Sequence, residues 1–178
     1  MGENSNSIRV IVMFGPPGAG KTSLLEKTFS TLGQRCRMAV IEGDVETDED
    51  AKRLAQYPVL IAMVNTHGAC HLESVSVEKA LNAFDLKKLD LIFVENIGNL
   101  VCPAEFDVGE NLKIAVLSVC EGDDKVIKYP LLFREASIVV LHKIDLLPYL
   151  NFNRARFYED LKKVNPKAKV LEVSCTTE

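Results

Sequence analysis

Residues 15–22 read Gly15-Pro16-Pro17-Gly18-Ala19-Gly20-Lys21-Thr22, a full match to G-x-x-x-x-G-K-[ST]. This pattern has meaning only as the turn between a buried strand and a helix, and both flanks comply. Residues 8–14 (IRVIVMF) form a short apolar run suited to a buried strand. Residues 22–32 read as a helix with Leu24, Leu25 and Phe29 on one side. Glycines let successive backbone N–H groups turn inward around phosphates with no Cβ in the way. The helix N-terminus adds partial positive charge. The residues expected to touch a nucleotide here are Gly15, Pro17, Gly18, Ala19, Gly20, Lys21, Thr22 and Ser23. Lys21 would reach the β- and γ-phosphates, and the Thr22 hydroxyl would hold Mg²⁺.

The remaining chain alternates apolar runs with helical patterns. Strands are expected at 38–41, 58–64, 89–94, 113–119, 137–141 and 170–173. Helices are expected at 47–56, 74–84, 129–134 and 153–164, with a turn over 121–128. Strands that are apolar throughout, separated by helices, imply a parallel sheet covered on both faces. The fold class is therefore α/β, a P-loop NTPase with a mostly parallel central sheet of about seven strands and helices on both sides. The 178 residues, 47% hydrophobic and 26% charged, suit one globular domain over 1–178.

Composition excludes several classes of function. A net charge of −4 with scattered lysines and arginines gives no electrostatic footprint for nucleic acid. No apolar run approaches the ~20 residues that span a bilayer, so no membrane association is expected. The N-terminal MGENSNSIRV lacks the layout of a signal peptide and misses the myristoylation pattern. A cytoplasmic location follows as the expectation. Five cysteines, an odd set in a reducing compartment, argue against disulfides.

Ligands of parallel sheets collect at the carboxyl ends of the strands. Asp44 follows the second strand and Glu95 closes the fourth, where carboxylates can hold Mg²⁺ and its waters. Strand ends are also simply exposed and polar, and Asp44 has Glu42, Glu46 and Asp48 for neighbours. After the sixth strand, His142-Lys143-Ile144-Asp145 is similar to the N-K-x-D guanine signature of GTPases, with His in place of Asn. Asp145 would accept from guanine N1–H and the exocyclic amine, a pair of donors that adenine lacks, while the Lys143 stem covers the base. The His142 substitution removes one expected polar contact. Ser174 and Cys175 stand where a backbone N–H can meet guanine O6.

A second unusual passage is Asn65-Thr66-His67-Gly68-Ala69-Cys70-His71-Leu72-Glu73. Adjacent Cys and His suit Zn²⁺ or Ni²⁺. Cys102, on the loop after the fourth strand, can approach them if both strands end on the same face. Three ligands leave a site incomplete in one chain, or complete across a two-fold axis. The alternative is a packed loop, since cysteine is among the most buried residue types. Cys36, Cys120 and Cys175 look like small apolar fillers, and His67 like a loop residue.

Taken together, these segments resemble HypB, a family of GTPases that assist nickel insertion into [NiFe]-hydrogenase and, in some organisms, urease. The resemblance rests on residues 15–22 (GPPGAGKT), 42–54 (EGDVETDEDAKRL), 68–73 (GACHLE), 95–103 (ENIGNLVCP), 118–133 (SVCEGDDKVIKYPLLF) and 142–150 (HKIDLLPYL). It implies a Ni²⁺/Zn²⁺ site on Cys70, His71 and Cys102, Mg²⁺ on Thr22, Asp44 and Glu95, and guanine on Lys143 and Asp145. Catalysis is expected from Lys21, Asp44 and Glu95, with Asp44 the first candidate to orient the attacking water. The resemblance also implies a GTP-dependent homodimer, with a nickel-insertion accessory protein and the hydrogenase large subunit as partners. No arginine finger is evident, and Lys125 or Lys128 would contact the partner subunit. The N-terminal cysteine motif or histidine-rich stretch of many members does not occur in this sequence, and VSCTTE stops where the family continues into a final helix. Two other readings remain: a P-loop kinase of a small molecule, and a nucleotide-gated scaffold without significant hydrolysis. No arginine-rich lid segment supports the kinase.

Overall fold

The computed structural model describes residues 9–44, 49–66, 68–102 and 107–177, apart from the side chain of Asp44. Seven parallel strands form one sheet: β1 (Arg9–Phe14), β2 (Met38–Asp44), β3 (Val59–Asn65), β4 (Leu91–Glu95), β5 (Leu112–Ser118), β6 (Ile138–His142) and β7 (Lys169–Val173). Their order is β3-β2-β4-β1-β5-β6-β7, so the phosphate-loop strand is central. The helices are α1 (Lys21–Leu32), α2 (Glu49–Leu54), α3 (Ser74–Leu81), α4 (Lys125–Lys128), α5 (Pro130–Glu135) and α6 (Arg154–Val164). The α/β P-loop class and the strand count agree with the sequence reading.

Two cores explain why the strands carry no polar alternation. Val12 and Phe14 of β1 pack into one cluster, with Val77 of α3, Leu132 and Phe133 of α5, and Phe157 and Leu161 of α6. Met13 packs into the other, with Leu25 and Phe29 of α1 and Leu54 of α2. Successive side chains of a strand point to opposite faces, so a strand buried on both must be apolar at every position. Phe29 meets Phe93 of β4 edge to face, with ring centroids 5.7 Å apart.

The departures from expectation are local. Strand β4 begins at Leu91 because Asp90 stays outside and accepts from the Arg37 backbone N–H at 2.9 Å and its guanidinium at 2.7 and 3.0 Å. These bonds hold the Asp90 carboxyl down to about 2. Helix α3 stops at Leu81, and Phe84 N–H returns to the Leu81 carbonyl in a tighter turn. The expected turn at 121–128 contains α4, which buries Val126. Lys128 of α4 pairs with Asp124 of the same segment. Helix 47–56 is described over Glu49–Leu54, with Thr47 and Asp48 outside the described residues. No helix among the described residues is long and apolar enough to cross a membrane.

Candidate nucleotide and metal site

A cleft of about 450 Å³ opens at the carboxyl ends of β1, β2 and β4, where the phosphate loop lies. Lys21 and Thr22 are buried at its floor. Lys21 Nζ donates to the carbonyls of Gly15 and Pro16, both at 3.3 Å, so the ammonium rests against the loop it would share with phosphate. Burial pulls the Lys21 pKa down, and the carboxylates of Glu95 and Glu42 oppose that pull. Thr22 Oγ1 donates to Glu95 Oε1 at 2.9 Å.

Glu95 Oε2 is buried without a partner among the described residues. Burial pushes this carboxyl up to about 7, against the favourable effects of Lys21 and Thr22. Glu42, Asp50 and Glu95 each bring an oxygen within 4.8 Å of the others. A hydroxyl and carboxylate oxygens, one of them unpartnered, are hard donors that fit Mg²⁺. Thr22 and Glu95 thus stand together as expected. The side chain of Asp44 lies outside the described residues, and its backbone ends β2 opposite Asn65.

Glu42 and Asp50 are site residues that sequence reading passed over. The expected second strand ended at Ile41, whereas β2 runs on to Asp44 and aligns Glu42 beside Glu95. Carrying the two-residue period one step past Ile41 would have placed Glu42 on the face opposite it. Arg53 is a further addition on the cleft wall. It pairs with Glu26 at 2.6 Å and Asp50 at 2.9 Å, and donates to Ser23 Oγ at 3.3 Å. An arginine therefore borders the phosphate region from within the chain, where the sequence had shown no finger.

At the base end, Lys143 adopts φ 60° and its Nζ donates to the Gly18 carbonyl at 2.7 Å. Asp145 Oδ1 accepts from Ser174 Oγ at 2.6 Å, a bond that holds its carboxyl below the usual range. One carboxylate oxygen is thereby fixed and oriented. His142 makes polar contacts within the chain. Its ring is buried, with Nδ1 2.8 Å from the Ala19 carbonyl and Nε2 3.1 Å from Cys175 Sγ. Cys175 is therefore no inert filler, and Cys120 is exposed rather than packed.

Cys70 Sγ lies 3.7 Å from His71 Nδ1. Cys70 is exposed and Cys102 half-buried. Among the described residues only the three carboxylates gather as a group of potential ligands, so the fold does not draw Cys102 to Cys70 and His71 at that spacing. His67 and Pro103 lie outside the described residues. The Cys–His loop is nevertheless tied to the phosphate region. Asn96, next to Glu95, accepts from Leu72 N–H at 3.1 Å and Ile97 N–H at 2.9 Å, while its own N–H donates to Met13 of β1 at 2.9 Å. Leu72 is fully buried, and a Cβ on Gly43 would sit 2.7 Å from its Cδ1, so only glycine lets β2 approach this loop so closely. Asn96→Ala leaves the buried Leu72 amide unsatisfied, a loss of about 1–3 kcal/mol. Hydrogen exchange at Leu72 is expected to accelerate about ten-fold or more. Exchange there unchanged from the wild type would mean that this bond does not hold the loop.

Comparison with known proteins begins with a family model. That of the "CobW/HypB/UreG, nucleotide-binding domain" matches residues 9–172. A probable hydrogenase maturation factor HypB from Methanocaldococcus jannaschii is 37% identical over 174 residues, covering 98% of this chain and 79% of that one. The chain belongs to the HypB family. HypB hydrogenase maturation factors of Azotobacter vinelandii and Escherichia coli K12 are 46% and 44% identical over 168 residues. The chain spans little more than half of those two, 55% and 58% of their lengths. A crystal structure of HypB from Helicobacter pylori in complex with nickel superposes with a TM-score of 0.92 at 36% identity, covering 97% of this chain and 81% of that one. HypB of Archaeoglobus fulgidus follows at 0.88 and 33%, covering 96% and 83%. FtsY of Mycoplasma mycoides, at 0.66 and 15%, shares the fold alone. The match to the CobW/HypB/UreG domain extends from β1 into β7 and so takes in the phosphate loop, the Cys–His loop and His142–Asp145.

Proposed function

We propose that this domain binds GTP with Mg²⁺, hydrolyses it slowly, and uses the cycle to hold and release nickel during [NiFe]-hydrogenase maturation. The observation that supports the proposal most is Asn96, the residue after Glu95, which accepts from the N–H of Leu72, the residue after His71. The nickel held by the H. pylori relative supports the choice of cargo. The Cys70–His71 pair would also accept Zn²⁺. Urease is a second possible recipient.

Mg²⁺, when bound, neutralises charge on the β- and γ-phosphate oxygens and would be held by Thr22 and Glu95 with their neighbouring carboxylates. Lys21 exchanges the Gly15 and Pro16 carbonyls for phosphate oxygens and stabilises charge growing on the β–γ bridge. The attacking water bonds to the γ-phosphorus as the bond to the bridging oxygen breaks, and its proton passes to a nearby base. Asp44 remains the first candidate to orient that water, with Glu42 and Asp50 beside the same cleft. Ser174 orients Asp145 toward guanine. Departure of the γ-phosphate releases the Glu95–Asn96 segment, and Asn96 passes the movement to Leu72 and so to Cys70 and His71. One copy supplies a close Cys–His pair, and a second copy in a GTP-dependent homodimer supplies another. The cytoplasm, a nickel-insertion accessory protein and the hydrogenase large subunit complete the proposed setting, without nucleic acid or membrane.

The test is a Ni²⁺ and Zn²⁺ titration with GDP and with a non-hydrolysable GTP analogue, recording mass by light scattering. Metal stoichiometry that changes with nucleotide alongside dimer formation is expected, and no metal under either nucleotide would overturn the proposal. Cys70→Ala is expected to abolish most Ni²⁺ binding while GTP affinity stays within about two-fold, since the thiol is exposed and outside the phosphate cleft. Equal loss of both would sink the separation of sites.

A further inference from the structure

We infer that His142 is a positioning residue that fastens both base-reading segments to the phosphate loop, as a neutral imidazole donating Nδ1–H to Ala19 and accepting the Cys175 thiol hydrogen at Nε2. The inference rests on the guanine reading of Asp145. The hydrogen-bond roles follow from chemistry. The Ala19 carbonyl can only accept, so Nδ1, at 2.8 Å, must carry the proton. With its one N–H at Nδ1, the ring presents Nε2 as an acceptor, and the Cys175 sulfur 3.1 Å away is the donor that faces it. Burial pushes the Cys175 thiol up, which keeps that hydrogen in place. The other acceptor within reach of the single thiol hydrogen, the Ser23 carbonyl at the phosphate loop, is farther away at 3.6 Å.

Position completes the argument. The ring is 2% exposed, so water cannot replace either contact. Gly20 has φ +95°, and a Cβ there would stand 2.3 Å from His142 Nδ1, which places the imidazole directly against the loop backbone. His142 begins the segment that ends at Asp145, and its other partner, Cys175, follows the serine that orients Asp145. Both sides of the base pocket are thus moored to Ala19 through one ring. An asparagine, the residue of the GTPase signature, is shorter. The imidazole has the span to reach a backbone carbonyl on one side and a thiol on the other.

The experiment has two arms. In the nucleotide-free protein, ¹⁵N spectra of the imidazole are expected to show the Nδ1–H tautomer for His142. The Nε2 resonance should move in Cys175→Val and return toward the wild type in Cys175→Ser, whose hydroxyl also donates. In the second arm, the ratio of GDP to IDP affinity is measured, because IDP lacks only the amine that Asp145 would read. His142→Leu is expected to lower that ratio about ten-fold, with Cys175→Val acting in the same direction and Cys175→Ser restoring it. An Nε2–H tautomer, or an unchanged ratio in both His142→Leu and Cys175→Val, would overturn the assignment. Should His142→Leu not fold, the two cysteine variants carry the same test. A wild type that fails to prefer GDP over IDP and ADP would refute the guanine reading instead, and the tautomer would still decide the clasp.

Discussion

Lys21→Ala is expected to slow GTP hydrolysis by about 10²–10³-fold, the range seen when one preorganised stabiliser of developing charge is removed. The reason lies in where the ammonium stands. It is buried, held by the Gly15 and Pro16 carbonyls at 3.3 Å, and faces Glu42 and Glu95 across the cleft. A charge kept in a low-dielectric site acts on phosphate far more strongly than one in water. The variant also leaves the carboxylates without their cation. Binding of Mg²⁺·GTP, whose triphosphate keeps a net negative charge even with the metal, should therefore fall with turnover. Single-turnover hydrolysis alongside equilibrium binding separates the two effects. A rate within a few-fold of the wild type at saturating nucleotide would mean that Lys21 only anchors the loop.

The second large effect concerns Glu95 in protein stripped of metal and nucleotide. Its carboxyl is raised to about 7, chiefly by burial. The folded state therefore keeps a proton that the unfolded chain has already released. Stability from this group is full below the unfolded pKa near 4.5 and is lost as pH rises toward about 7. Glu95→Gln has no proton to lose and should stay level over that window. At pH 8 the stripped variant is expected to exceed the wild type by a few kcal/mol, on the order of 5–10 °C in Tm for a domain of this size. Adding Mg²⁺ on top of GDP should then raise the Tm of the wild type further and add little in the variant. A wild-type Tm that climbs from pH 5 to 7 relative to Glu95→Gln would contradict the sign of this argument.

The elements legible in the sequence were those with long-range consequences. Strands buried on both faces announce themselves as unbroken apolar runs, so all seven were placed within a few residues. The phosphate loop was legible because its glycines and Lys21 answer to a local geometry. Glu42, Asp50 and Arg53 were not: the strand period gives at most the face of Glu42, and all three enter the cleft through pairing of β2 with β4 and packing of α2 beside α1. His142 was legible as an oddity, but its partners Ala19 and Cys175 were not. A substitution in a signature reads as a loss until the partners of the new side chain are known. The Cys–His loop was seen, but its attachment through Asn96 depends on a side chain 24 residues away in sequence.

The strand order carries one more consequence. β1 stands between a branch of β4, β2 and β3 and a branch of β5, β6 and β7. The first branch leads to Glu95, Glu42 and the cysteine loop, and the second to His142, Asp145 and Ser174. The two share no strand pairing except through β1. In the proposed cycle, the base side meets the Cys–His side through β1 and the phosphate loop, which His142 and Lys143 contact at Ala19 and Gly18. If the proposed cycle holds, input and output are modular, and an orthogonal nucleotide accepted by a redesigned β6–β7 rim is expected to drive the same release.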